Sequence, residues 1–173
     1  GLLRTIVCAQ HGLREEDEPG ILAALGDDLP GAVTVSRIGD PVPGPADDAM
    51  QSSDSTSFSK DSLIRASIAG NVLKFSMKSR DQRLTLPGSG EYGDRIVKLP
   101  PPGEYDALVH NEFYVMSLAR ACGIEVPDFD VVHRENVEIA PSAWATTEEH
   151  AFSIARFDRS DQGRVHMEDF CQA

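Results

Sequence analysis

Two residues of opposite charge occupy positions where a charge is costly. Lys98 lies inside the short apolar run 95–99, which has the pattern of a strand, and strand interiors are depleted in lysine. Glu112 lies near the middle of the apolar arc of a helix predicted over 106–122, where a carboxylate needs a cation or several hydrogen-bond donors. The sequence therefore predicts a strand-to-helix ion pair between Lys98 and Glu112. The alternative is that Glu112 lies at the margin of an interface and reaches water.

A strand lysine held by a helix glutamate is an arrangement that contacts ATP phosphates in protein kinases. Two further segments carry weaker signals of this kind. The segment 67–74 contains Gly70, which permits close approach of a phosphate to the backbone. It is neither GxGxxG nor a Walker A loop, so on its own it fits an ordinary turn better. The segment 154–159 is an apolar strand that runs into arginine and aspartate, which alone indicates a surface salt bridge that contributes little.

The elements that would position these residues follow an α+β order. Residues 1–38 are predicted to be helical, with a short strand over 32–35, and 39–62 are rich in Pro, Gly, Ser and Asp, as in a linker. Beyond them the hydrophobic pattern predicts strands over 72–77, 83–86, 95–99, 129–133 and 151–155, with the helix 106–122 after the third. Asp106 is a possible N-cap of this helix, Gly123 suits the left-handed position after it, and a further helix is predicted to begin near Val165. In the first strand Leu73, Phe75 and Met77 share one face.

Composition excludes several classes of function. The net charge of −12, from 28 acidic and 16 basic residues, disfavours direct binding of nucleic acid or of acidic membranes. Cys8, Cys122 and Cys171 are too few and too scattered for a disulfide framework, which indicates reduced thiols and a cytoplasmic protein. The five histidines are scattered as well, so no metal cluster is predicted.

From about Ser67 to Ala173 the chain resembles the amino-terminal half of the HipA-like kinase domain. The matching pieces are 67–70 with Lys74, 96–100, Asn111-Glu112, 123–127, 155–159 and 166–173. Residues 27–33 also resemble the stretch that precedes the kinase core in that family. The resemblance implies a kinase-like N-terminal lobe with an antiparallel sheet of about five strands and one main helix, preceded by a partial helical segment.

The resemblance also implies a role for each matching residue. The loop over the ATP phosphates would consist of Ala69, Gly70, Asn71, Val72, Leu73 and Lys74. Lys98 would contact the phosphates, supported by Glu112, and the backbone of Ala155, Arg156 and Phe157 would be the hinge that recognises the adenine edge. Ser67 would be the position that is autophosphorylated, where a phosphate of about −1.5 to −2 charge beside a triphosphate site would silence the kinase.

This chain departs from the family pattern at two of these positions. Most relatives carry glutamine two residues after the loop glycine, where this chain has Val72 after Asn71. The acidic hinge residue that is usual in the family is Ala155 here, which removes a side-chain contact and leaves recognition through the backbone. Both changes concern contacts to ATP rather than the fold.

The implied organisation is a partial amino-terminal subdomain (1–38), a linker (39–62), the ATP-binding lobe with its hinge (63–159) and the start of a second lobe (160–173). The catalytic Asp and the ligands of Mg²⁺ are expected beyond Ala173, so the chain alone should be inactive. The function expected by resemblance is that of a serine/threonine kinase toxin, which phosphorylates a component of translation and is inhibited by a HipB-like antitoxin. The alternatives are a stand-alone lobe that regulates a partner kinase, and an unrelated α+β binding domain.

Overall fold

The computed structural model describes residues 2–39, 72–88, 91–100, 107–139, 144 and 146–168. The chain begins with helices α1 (Leu2–His11) and α2 (Glu18–Leu25), followed by a 3-10 turn (Gly26–Asp28). Asp17 caps α2 by accepting a hydrogen bond from the Gly20 N–H at 3.0 Å. The helical segment predicted at the amino terminus therefore forms in part, because the helices end at Asp28 and residues 29–38 are not helical.

The prediction of a strand over 32–35 is wrong. Residues 33–37 have no regular secondary structure, and the Val35 N–H donates to the Gly26 carbonyl at 3.1 Å. The β-branched residues of this stretch gave it a strand pattern, but its hydrogen bond goes to the adjacent 3-10 turn instead of to a sheet.

Six strands form one sheet: β1 (Lys74–Arg80), β2 (Arg83–Thr85), β3 (Arg95–Lys98), β4 (Phe129–His133), β5 (Val137–Glu138) and β6 (His150–Ala155). Their order is β4-β6-β3-β1-β2-β5, and every pair is antiparallel except β2 with β5. A separate hairpin follows, made of β7 (Arg159–Ser160) and β8 (Gly163–Arg164). The α+β class is confirmed, with one strand more than expected and one parallel pair.

Helix α3 (Leu108–Ala121) follows β3 and packs against β4 and β6. The Phe113 ring meets the edge of the Phe129 ring at 5.4 Å between centroids, and Phe129 stacks on Phe152 at 6.0 Å. After the helix Gly123 has a φ of 83°, the left-handed conformation predicted there. Asp106, the expected N-cap, lies outside the described residues.

The apolar arc predicted for α3 is only partly buried. Of its seven members Val109 is buried, whereas Val115 is 56% exposed and Cys122 is exposed as well. The full set is Leu108, Val109, Phe113, Val115, Met116, Ala119 and Cys122. The helix contacts the sheet mainly at β4 and β6, and these contacts bury only part of the arc.

The two faces of the sheet have different compositions. Lys74 pairs with Lys98 across β1 and β3, and Lys98 pairs with Phe152 across β3 and β6, so these three side chains share one face, the face that α3 covers at one side. The alternate residues form the main core on the opposite face, with Phe75, Met77, Leu84, Leu86, Val97, Leu99, Val137, Trp144 and Ala151. The predicted sharing of one face by Leu73, Phe75 and Met77 is confirmed.

The helix expected to begin near Val165 does not begin within residues 165–168, which have no regular secondary structure. Within the described part of the chain, no helix has the length and apolar character needed to cross a bilayer.

Candidate functional site

The Lys98 Nζ and Glu112 Oε1 atoms form a hydrogen-bonded ion pair between β3 and α3. The two side chains are 25% and 30% exposed, so the pair lies at the edge of the helix–sheet interface and reaches water. Lys98 Nζ also lies 5.4 Å from the centroid of the Phe152 ring. The structure thus combines both sequence-based alternatives, because Glu112 meets its cation at an interface margin.

Lys74 places a second cation beside this pair. It stands opposite Lys98 in the sheet, on the same face. Burial lowers the pKa of Lys74, the positive charge of Lys98 lowers it further, and Glu112 offsets only part of the shift. Lys74 and Lys98 thus bring two positive charges to this face of the sheet, with Glu112 as the carboxylate that pairs with Lys98.

The loop predicted to cover the phosphates is described only at its end. Val72 and Leu73 precede β1, and the Leu73 carbonyl accepts a hydrogen bond from the Leu99 N–H at 2.9 Å, so the β1–β3 ladder extends by one bond. The remaining predicted residues, Ser67, Ala69, Gly70 and Asn71, lie outside the described residues, and their roles stay predictions.

The predicted hinge has two of its backbone donors already bonded. The Ala155 N–H donates to the Asp128 carbonyl at 2.7 Å, and the Arg156 N–H donates to the Asp94 carbonyl at 2.9 Å. Recognition of a base by this segment would therefore use its carbonyl groups or Phe157, whose side chain is exposed. A pocket of about 610 Å³ lies here, between residues 125–128 and 155–157, which is a volume typical of small-molecule sites.

The Arg156 side chain has a structural role that the sequence analysis missed. It is 2% exposed, and its guanidinium donates from Nη1 to Asp28 Oδ1 at 2.8 Å and to Ser76 Oγ at 2.7 Å. Nε and Nη2 donate to the two carboxylate oxygens of Asp158 at 2.9 and 2.8 Å. The expectation of a weak surface salt bridge is wrong here, because the bidentate pair is enclosed by the amino-terminal segment.

Arg159 extends the same arrangement. It donates to Asp28 Oδ1 at 2.8 Å and to Asp158 Oδ2 at 2.9 Å, and the Gly31 N–H donates to Asp158 Oδ2 at 2.8 Å. We call Asp28, Arg156, Asp158 and Arg159 the buried charge cluster. It contains two positive and two negative groups, and it fixes the segment after α2 to the end of β6.

In the buried charge cluster, burial and charge pairing shift the pKa values in opposite directions. Burial raises the pKa of the Asp158 carboxyl, but the hydrogen bonds from Arg156 and Gly31 and the charges of Arg156 and Arg159 outweigh it, which lowers that pKa to about 2. The pKa of Arg159 is lowered, mainly by burial. Asp158 is therefore a carboxylate at any pH near neutrality.

Comparison with known proteins places most of the chain in one family. Residues 66–173 match the family model described as HipA-like C-terminal domain. The chain is similar to "Putative kinase Y4dM" of Sinorhizobium fredii, at 37% identity over 176 residues that cover 99% of this chain and 41% of the relative. It is also similar to "Putative kinase Y4mE" of the same organism, at 33% identity over 116 residues that cover 64% of this chain and 24% of the relative.

A solved structure has the same fold. It is the Shewanella oneidensis MR-1 toxin–antitoxin complex of HipA, HipB and operator DNA, with a TM-score of 0.62 and 23% identity to this chain. The match covers 98% of this chain and 40% of the other. The chain thus spans about two fifths of the length of Y4dM and of the solved protein.

Proposed function

The chain belongs to the HipA-like C-terminal domain family, and from that premise we propose that it is the nucleotide-binding lobe of a serine/threonine kinase toxin. The observation that carries the proposal is the Lys98–Glu112 ion pair beside Lys74 on one face of the sheet. A lysine on a strand, oriented by a helix carboxylate, is how kinases position ATP phosphates.

In this proposal Lys98 contacts the phosphates, Glu112 orients it, and Lys74 supplies the second positive charge. The base lies in the pocket beside Phe157. Lys98 pairs with Phe152, and Arg95 pairs with Ala155. Lys98 and the position opposite Ala155 are therefore three residues apart along β3. That separation is about 10 Å at the usual rise of a strand, a distance that one nucleotide can span.

The family resemblance supplies the remaining parts of the proposal. In the full protein Mg²⁺ would bridge the phosphates and an Asp would orient the acceptor hydroxyl, both supplied by a second lobe. The substrate would be a component of translation. A HipB-like antitoxin is the proposed inhibitor, which is supported by the HipA–HipB complex of Shewanella oneidensis. Ser67 would be the autophosphorylated residue that switches the kinase off.

Nucleotide binding to the 173-residue chain tests the lobe assignment. Isothermal titration calorimetry with ATP should detect binding that Lys98→Ala weakens at least tenfold, or about 1.4 kcal/mol. Lys78→Ala is the matched control, because it removes the same charge from β1, where Lys78 pairs with Asp94 at 3.0 Å. Equal affinity of wild type and Lys98→Ala would contradict the assignment, and so would the absence of ATP binding by the wild-type chain.

A further inference from the structure

Three side chains with metal-ligating atoms meet where α3 and β6 begin. His110 lies in the first turn of α3, His150 is the first residue of β6, and Glu148 lies two residues before it. One ligand atom of each residue lies within 4.8 Å of the other two. Because the two histidines are far apart in the sequence, their spacing did not predict a cluster.

The geometry points to a site for one divalent transition-metal ion of the zinc class, and we propose that His110, Glu148 and His150 are its ligands. The rings of His110 and His150 have centroids 5.5 Å apart, and His150 Nδ1 lies 3.4 Å from Glu148 Oε1. Two imidazole nitrogens and one carboxylate oxygen are a ligand set that zinc uses with water in the fourth position. Mg²⁺ and Ca²⁺ prefer all-oxygen sets and fit this site poorly.

The ligand atoms need only a small movement to close on an ion. Ligands at about 2.1 Å from a tetrahedral zinc lie about 3.4 Å from each other. Because the ligand atoms of His110, Glu148 and His150 lie within 4.8 Å of one another, no pair has to approach by more than about 1.4 Å, which side-chain rotation supplies. The Glu148 and His150 side chains are 30% and 37% exposed, so an ion from solvent can reach them.

The backbone that carries these ligands is held in place. The Trp144 Nε1 donates to the Glu148 carbonyl at 2.7 Å, and Trp144 itself is buried in the main core. Thr146 Oγ1 accepts from the Glu148 N–H at 3.2 Å. His150 pairs with His133 in the β4–β6 ladder. Ligands on supported elements lose little entropy when they bind an ion.

A bound ion would join the two elements that hold Lys98 in place. Glu112 lies two residues after His110 on α3, and Phe152 lies two residues after His150 on the same face of β6. An ion at this corner would therefore restrain the start of α3 relative to β6. The alternative explanation of the cluster is a hydrogen bond between His150 Nδ1 and Glu148 Oε1, without any metal.

Titration of the metal-free 173-residue chain with Zn²⁺, followed by calorimetry, separates these explanations. We expect one ion per chain, and at least a tenfold loss of affinity in His110→Ala, in His150→Ala and in Glu148→Gln, which preserves side-chain shape. His166→Ala is the matched control, since His166 is exposed and outside the cluster. Zn²⁺ should also raise the Tm of the wild type and leave the Tm of a His110→Ala/His150→Ala double variant unchanged.

Three outcomes would overturn the proposal. The first is a wild-type chain that binds no Zn²⁺. The second is unchanged binding in the double variant, which would place the ion elsewhere, for example on a cysteine. The third is binding that His133→Ala abolishes and His110→Ala does not, since the His133 ring also lies 5.5 Å from the His150 ring. The metal-free Tm of each variant shows whether it folds, and none of these readouts depends on nucleotide binding.

Discussion

Arg156 Nη1 donates a hydrogen bond to Asp28 Oδ1 at 2.8 Å, between residues 128 positions apart in the chain, with both side chains almost completely excluded from water. Arg159 shares the same oxygen of Asp28. The amino-terminal segment therefore supplies the acidic partner that the two arginines at the end of β6 require.

Replacement of Asp28 by asparagine should strongly destabilise the protein. The change keeps the size of the side chain but leaves Arg156 and Arg159 with one carboxylate instead of two. Loss of one partner of a buried pair costs about 3–5 kcal/mol. Urea unfolding measures the loss. Glu138→Gln is the control, because its pair with Arg83 is 50% and 61% exposed and should contribute less than about 1 kcal/mol. Equal destabilisation by the two variants would show that the cluster contributes no more than a surface pair.

Stability should fall in acid through Asp158. Its pKa is about 2 in the folded protein against the ordinary 3.8, so the unfolded chain binds the proton first. The stabilisation from Asp158 is complete above about pH 4 and is lost as the pH falls toward 2, and it amounts to about 2 kcal/mol. Unfolding free energies measured from pH 6 to pH 2.5 should decline less steeply in Asp158→Asn than in the wild type. Parallel curves would contradict this assignment.

The stability of the free protein should change in opposite directions when Lys74 and when Lys98 is replaced by methionine. Lys74→Met removes a charge whose pKa is lowered by burial and by Lys98, so the free protein should become more stable. Lys98→Met leaves Glu112 without its cation, so the protein should become less stable. Both variants should bind ATP about tenfold more weakly if the lysines contact phosphate. Thermal unfolding with and without ATP measures both effects, and a stabilising Lys98→Met would rule out the supporting role of Glu112.

Gly93 should not tolerate a side chain. A Cβ at this position would lie 2.0 Å from Ser76 Oγ and 2.8 Å from the Met77 backbone nitrogen. Ser76 accepts a hydrogen bond from Arg156, so its displacement would disturb the buried charge cluster. We expect Gly93→Ala to cost about 1–3 kcal/mol in urea unfolding. Gly88→Ala is the control, because among the described residues its Cβ would meet only the flexible Glu91 side chain, at 3.3 Å. A cost equal to that of Gly93→Ala would contradict the steric argument.

The sequence pattern predicted those features that neighbouring residues determine. Strand β4 lies over 129–133 as predicted, and Gly123 follows α3 in the left-handed conformation, because periodicity and backbone preference decide both. The contact of Lys98 with Glu112 was predictable because both charges lie on neighbouring elements in otherwise apolar patterns.

The features that sequence analysis missed depend on distant parts of the chain. Arg156 and Asp158 follow the end of a strand, and this sequence pattern is the same whether the two side chains are exposed or buried. Their burial depends on the position of Asp28, far away in the sequence. The meeting of His110 with His150 likewise depends on how α3 lies across β6. Strand β5, which pairs in parallel with β2, has two residues and is too short for a periodic signal.

The buried charge cluster has a consequence for how the polypeptide could be divided. A fragment that starts at residue 63 would follow the apparent boundary in the sequence, yet it would leave Arg156 and Arg159 without Asp28. The segment 17–39 therefore belongs to the same cooperative unit as the sheet, although a long stretch of sequence separates them. Supplied as a separate peptide, this segment should restore the pairing of Arg156 and Arg159 with Asp28 by fragment complementation, as a missing piece of the folded unit and not as a partner of it.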